Sequence, residues 1–88
     1  IYIMSVPPRS NDTMDANTTA ANTQIYSDIV TRQATKSNLY WVDVNTVWKT
    51  NPNWESEYQA NENHPNDAGH AVIGLTLANS IKLHEELN

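Results

Sequence analysis

The chain has 88 residues and no cysteine, which bounds it to one small domain with no disulfide and no cysteine-based metal site. Hydrophobic residues make up 39% and charged residues 17%, a globular composition rather than a disordered one. The formal charge is −5 and the basic residues Arg9, Arg32, Lys36, Lys49 and Lys82 stand singly, which argues against a nucleic-acid partner, and no apolar run approaches the roughly 20 residues of a membrane span.

Ile1 to Val6 reads I-Y-I-M-S-V, a near-continuous apolar run that predicts a strand buried on both faces, as in a parallel sheet. Pro7-Pro8 ends it. The chain opens directly on this run without an initiator Met, which points to a fragment or one chain of a processed protein. From about Asp15 to Ser37 the period changes. Ala21, Ile25 and Ile29 repeat every four residues beside Tyr26, Val30 and Ala34, predicting a helix capped by Asp15 or Thr18.

Leu39 to Val44 reads L-Y-W-V-D-V and predicts a second strand, with Asp43 capping its end. Asn45 to Asn63 is polar and irregular, a long loop with room for a short helix. From about Asn66 to Leu87 a second helix is predicted. Ile73, Leu77 and Ile81 are spaced by four with Leu83 and Leu87 on the flank, and Asn66 serves as cap. Gly74 weakens this helix or admits another backbone. Strand, helix, strand implies two parallel strands with a right-handed crossover. Two strands and two helices make a thin core, so the chain reads as the back half of a larger α/β domain.

His64 lies where the long loop meets the last helix, and Pro65 fixes the backbone after it. Loop-to-helix junctions at the ends of parallel strands carry the reactive groups of many α/β enzymes, and a histidine there can act as a general base. An isolated histidine beside a capping turn reads more simply as a surface residue. Its context is N-E-N-H-P-N-D-A-G-H-A-V-I, from Asn61 to Ile73. This run resembles the last block of the SGNH (GDSL) hydrolases, Asp-x-x-His-Pro-Asn-x-x-Gly-His followed by an apolar helix. His64, Pro65, Asn66, Gly69 and His70 match it. Ile1 to Pro8 and Leu39 to Val44 resemble the family's fourth and fifth core strands, so the resemblance spans essentially the whole chain.

The resemblance implies a three-layer α/β/α sandwich with a flavodoxin-like, mostly parallel sheet. Residues 1–88 would be the C-terminal part of one such domain. It implies a serine esterase, for instance a carbohydrate O-acetyl esterase, with no metal and no organic cofactor. His64 would take the proton of the serine nucleophile, while a glycine and an asparagine complete the oxyanion hole. Those three residues lie upstream in the family and are absent here. Ser5, Ser10, Ser27, Ser37, Ser56 and Ser80 have no Gly-Asp context, and Ser5 falls in a strand. Alone, the 88 residues are therefore expected to be inactive, and their expected partner is the missing N-terminal half.

A second departure is Asn61, which occupies the position of the family's aspartate. An amide can accept a hydrogen bond from the imidazole, but it brings no charge to an imidazolium. In a serine protease the same Asp→Asn exchange lowers kcat by about 10⁴. Several readings stand: a Ser-His dyad oriented by a backbone carbonyl, a pseudoenzyme, an engineered knock-out, or another acid such as Glu55 or Glu57. Glu62 is adjacent but offset by one residue.

Trp54 and Tyr58 precede His64 on the loop and are candidate substrate contacts, whereas Trp41 reads as packing. His64, Asp67 and His70 do not form a recognised zinc spacing; in the reading the resemblance implies, Asn66 and His70 instead shape and cap the helix. Asn11-Asp-Thr13 and Asn17-Thr-Thr19 match the N-glycosylation triplet, which is frequent by chance in a chain this rich in Asn and Thr. The expected ligand is an ester or acetylated carbohydrate. The rival reading is a catalytically inactive SGNH-like glycan-binding or structural module of a cell surface or phage tail.

Overall fold

The computed structural model describes residues 1–86. In chain order the elements are β1 (Tyr2–Met4), α1 (Asp12–Gln33), β2 (Tyr40–Val42), α2 (Val44–Lys49), α3 (Trp54–Glu57) and α4 (Asp67–Glu86). The predicted Leu87 lies outside the described residues.

β1 and β2 form a parallel pair in the register Tyr2↔Tyr40, Ile3↔Trp41 and Met4↔Val42. Successive side chains on a strand face opposite ways. Trp41 meets Tyr26 of α1 edge-on, with ring centroids 5.7 Å apart. Its neighbour Tyr40 stacks on His84 of α4 at 3.9 Å. The two long helices thus cover opposite faces of the sheet, which makes this an α/β fold of the expected layering.

Both strands are shorter than their apolar runs. The ladder reaches Ser5, whose N–H donates to Val42 O at 3.0 Å. It cannot continue because the backbone of Val6 is taken elsewhere. Asn22 on α1 accepts from Val6 N at 2.8 Å and donates to Val6 O at 3.0 Å. Burial on both faces of β1 is only partly realised, since Ile1, Met4 and Val6 remain 63%, 39% and 42% exposed. The reason is the bare outer edge of β1, which has one strand partner among the described residues.

α1 begins earlier than predicted. Asn11 is its N-cap and accepts from Met14 N, in place of Asp15 or Thr18. Asp15 instead accepts from Arg9 N and pairs with Lys49 Nζ at 2.8 Å, tying α1 to the preceding loop and to α2. The buried face of α1 runs through Thr18, Asn22 and Ile29, while Ala21, Tyr26 and Val30 of the predicted stripe are exposed. A polar residue takes the centre of that face because it closes the Val6 backbone.

The polar loop contains two short helices, and α2 carries the centre of the core. Val42, Val44 and Trp48 are buried, with Tyr2, Trp54, Tyr58, Val72, Ile73 and Leu77 packed around them. On α4, Ile81 and Leu83 are exposed rather than core-facing. At 3.6 residues per turn, each four-residue step rotates the face by about 40°. The inner face therefore passes from Ile73 and Leu77 to the half-buried Ser80 and His84.

Candidate active site

Residues 58–66 fold back on themselves into a narrow loop. Asn66 N donates to Tyr58 O at 2.9 Å, Ala60 N donates to His64 O at 2.9 Å, and Gln59 and Pro65 form an antiparallel bridge. The tip is Asn61-Glu62-Asn63, and His64 stands exposed on the returning arm.

Asn61 organises this tip. Its Oδ1 accepts from Asn63 N at 2.8 Å and from His64 N at 3.0 Å. Two backbone donors fix which end of the amide is oxygen, because the NH2 end cannot accept. The same Oδ1 lies 3.0 Å from His64 Nδ1. An oxygen acceptor requires the proton on Nδ1, so the neutral imidazole presents the Nε2 lone pair outward. That is the tautomer of a general base. The amide orients the ring but brings no charge to an imidazolium.

The loop is pinned on two sides. Gln59 Nε2 donates to Pro8 O at 2.7 Å, Ser10 Oγ donates to Gln59 Oε1, and Ser10 N donates to Glu62 O. These bonds hold the tip against the segment that leaves the carboxyl end of β1. On the other side, Asn66 caps α4 by accepting from Gly69 N at 2.9 Å, and its Nδ2 donates to Glu57 O at 2.9 Å. Gly69 is buried, and a Cβ there would collide with Tyr58 O and the Trp48 ring. Gly69, not Gly74, is the glycine that admits a close approach, since the space at Gly74 is open.

Beneath the tip lies a cavity of about 240 Å³, walled by Val6, Pro7, Pro8, Trp48, Pro65 and Ile73, with Arg9, Gln59 and Asn63 at its border. Trp48 is wholly buried, and its Nε1 has no hydrogen-bond partner among the described residues.

The other candidates are placed as follows. Trp54 and Tyr58 pack on the core cluster, Tyr58 edge-on to Trp48 with centroids 5.3 Å apart. Glu57 Oε2 accepts from Asn51 Nδ2, and no described carboxylate is bonded to His64. Ser5 is buried; its Oγ donates to Asp43 Oδ1 at 3.0 Å and accepts from Asn45 N at 2.8 Å, so it joins the two strand ends. Asp43 also caps α2, accepting from Thr46 N. His70 does not cap α4 as expected: only its backbone N–H bonds Asn66 O, and its side chain is exposed. Among the described residues no group of three or more metal-ligating side chains comes together. Gln59 and Ser10 were not foreseen; nothing in a sequence marks a polar residue that pairs across so long a separation.

A family model described as the GDSL-like Lipase/Acylhydrolase family matches residues 1–72. The chain belongs to this family. The matched span runs from β1 into the first turns of α4, and membership places the chain among the hydrolases. No curated protein and no solved structure matches it.

Proposed function

We propose that the chain supplies the general base of a GDSL-type serine esterase. Its nucleophile and oxyanion groups would come from a preceding segment of the same domain, of which residues 1–88 form the C-terminal part. The observation that carries this reading is the contact between Asn61 Oδ1 and His64 Nδ1, whose acceptor oxygen favours the neutral tautomer with its lone pair on Nε2. In the proposed reaction Nε2 takes the serine Oγ proton as that oxygen attacks the ester carbonyl. The resulting imidazolium then returns the proton to the leaving alcohol. The apolar cavity lined by Asn63 and Pro65, the chain neighbours of His64, suits a short acyl group, and an acetylated carbohydrate is the proposed substrate. Trp54 and Tyr58 would contribute only through the parts of their rings that the core leaves open.

The test uses the protein that includes the nucleophile segment. His64→Ala is expected to lower turnover of p-nitrophenyl acetate by about 10²–10⁴-fold. Unchanged turnover would sink the reading. The isolated 88-residue chain is expected to show none.

A second reading is a family member retained for glycan binding. The neutral amide of Asn61 favours it, because no charge supports an imidazolium. Measurable ester turnover together with a glycan array showing no binding would dispose of it.

A further inference from the structure

A second cavity, of about 190 Å³, opens on the α1 side of the sheet, away from the His64 tip. Its walls are Trp41 on β2, Thr19 and Thr23 on α1, Asp43 just after β2, and Asn45 and Thr46 in the first turn of α2. Asn22 lines it too, with one bond from its oxygen and one from its nitrogen already made to Val6. Val6 links the walls of the two cavities. It lines the one beneath His64, and its carbonyl accepts from Asn45 Nδ2 at 3.0 Å.

This cavity presents several free hydrogen-bond acceptors beside the remaining amide N–H groups. Asp43 Oδ2 takes one hydrogen bond, from Thr46 Oγ1 at 2.7 Å, and keeps a lone pair. Asn45 donates through Nδ2 to Val6 and has no donor on Oδ1 among the described residues. Thr19 Oγ1 is likewise uncommitted, since the bond at that turn runs from Thr23 Oγ1 to Thr19 O. An acceptor-rich wall selects ligands bearing several hydroxyl groups, and the Asp43 charge rejects anions. The Trp41 ring, half-buried and braced edge-on by Tyr26, supplies a rigid apolar wall beside those acceptors. The volume is below the roughly 300–1,000 Å³ of pockets for drug-sized ligands, so it suits one ring rather than an oligomer.

We propose that the cavity formed by Trp41, Asp43, Asn45 and Thr19 binds a single neutral sugar ring. The ring stacks against the indole and directs its hydroxyls to the acceptors. This rests on the carbohydrate-ester reading above only in taking a sugar as the ligand. In that reading, the sugar of a carbohydrate ester is held on the α1 side of Val6, away from the acyl cavity.

Binding is measured on the chain itself, by tryptophan fluorescence during titration with methyl β-glucopyranoside, methyl β-galactopyranoside and methyl β-xylopyranoside. A saturable change with Kd on the order of 1 mM is expected for at least one of them. Trp41→Phe is expected to abolish the fluorescence change, and Trp54→Phe to retain it. Glucuronate is expected to bind at least about tenfold more weakly than the neutral sugars. Thr19 is exposed on α1, so Thr19→Arg obstructs the cavity without touching the core; it is expected to lower affinity at least about tenfold at unchanged circular dichroism. No saturable change with any of the three sugars overturns the proposal, as does a response that survives both Trp41→Phe and Thr19→Arg. Turnover of p-nitrophenyl acetate, which carries no sugar, tests the esterase reading separately. Turnover without sugar binding removes this site alone, and sugar binding without turnover removes the esterase alone.

Discussion

Asn61 Oδ1 receives three N–H groups, two from the backbone and one from His64. A carbonyl oxygen has two lone pairs, whereas a carboxylate offers about four acceptor sites. Asn61→Asp therefore fits the same tip, keeps the tautomer and adds the charge that an imidazolium needs. In the protein that includes the nucleophile, this variant is expected to raise kcat, with the about 10⁴-fold effect of the reverse exchange in a serine protease as the ceiling. A kcat unchanged or lowered by the aspartate would show that another group supports the histidine. The tautomer has its own check. Nitrogen-15 NMR of neutral His64 is expected to find the proton on Nδ1, and Asn61→Leu to remove that preference.

The elements are joined by a few polar residues whose removal has defined consequences. Asn22 satisfies both backbone groups of Val6 from the buried face of α1. Asn22→Ala strands the Val6 N–H, while Val6 O keeps the bond from Asn45 Nδ2, and one unpaired buried group costs about 1–3 kcal/mol. Urea denaturation is expected to show a loss of about 2 kcal/mol at unchanged m-value. Gly69 packs under the Trp48 ring and the Tyr58 carbonyl. Gly69→Ala forces the first turn of α4 away from the loop that holds His64, at a cost of about 1–3 kcal/mol for overpacking. Thermal denaturation by circular dichroism measures it, and an unchanged Tm would contradict the packing described. The exposed Lys49–Asp15 pair contributes little by comparison, about 0–1 kcal/mol and less at high salt.

At the scale of the whole molecule, the C-terminal end of α4 is clamped to the start of the sheet. Tyr2 Oη donates to Glu85 Oε1 at 3.0 Å, and Tyr40 stacks on His84. Burial first, then the hydrogen bond to Glu85 and its charge, raise the Tyr2 hydroxyl pKa above its ordinary value of 10.0. A raised pKa means that the folded state holds this proton more tightly than the unfolded one. The stabilisation is complete below 10.0 and is lost as pH rises through the folded value. Tm is thus expected to fall with pH in that alkaline window, and Tyr2→Phe to flatten the fall. The other whole-molecule feature is the apolar surface left by Ile1, Met4 and Val6 along β1 and by Leu75 and Leu83 on α4. An open strand edge with exposed apolar residues invites association. The isolated chain is expected to self-associate in sedimentation experiments, and charged substitutions at Met4 and Leu75 to suppress this.

The amino-acid sequence alone determined the two strands, the two long helices, their order and the parallel pairing, because hydrophobic period and turn residues are local signals, whereas α2, the centre of the core, was legible only as room for a short helix in a long loop. It also placed His64 at a loop-to-helix junction and Asn66 at a cap, since both follow from adjacent residues. The short strands were not legible: they stop where a side chain 16 residues away, Asn22, takes the Val6 backbone. Nor was the inner face of either long helix. On α1 a polar residue sits at its centre, and on α4 the four-residue repeat drifts off the 3.6-residue turn. Loop position alone made Trp54 the contact candidate and Trp41 the packing residue. Only packing put Trp54 on the core and Trp41 beside an open polar cavity. The role of Asn61 was decided in the same way. The residue type says that it can accept, and the folded loop says from which nitrogen, because hydrogen-bond direction depends on three-dimensional geometry that no local pattern encodes.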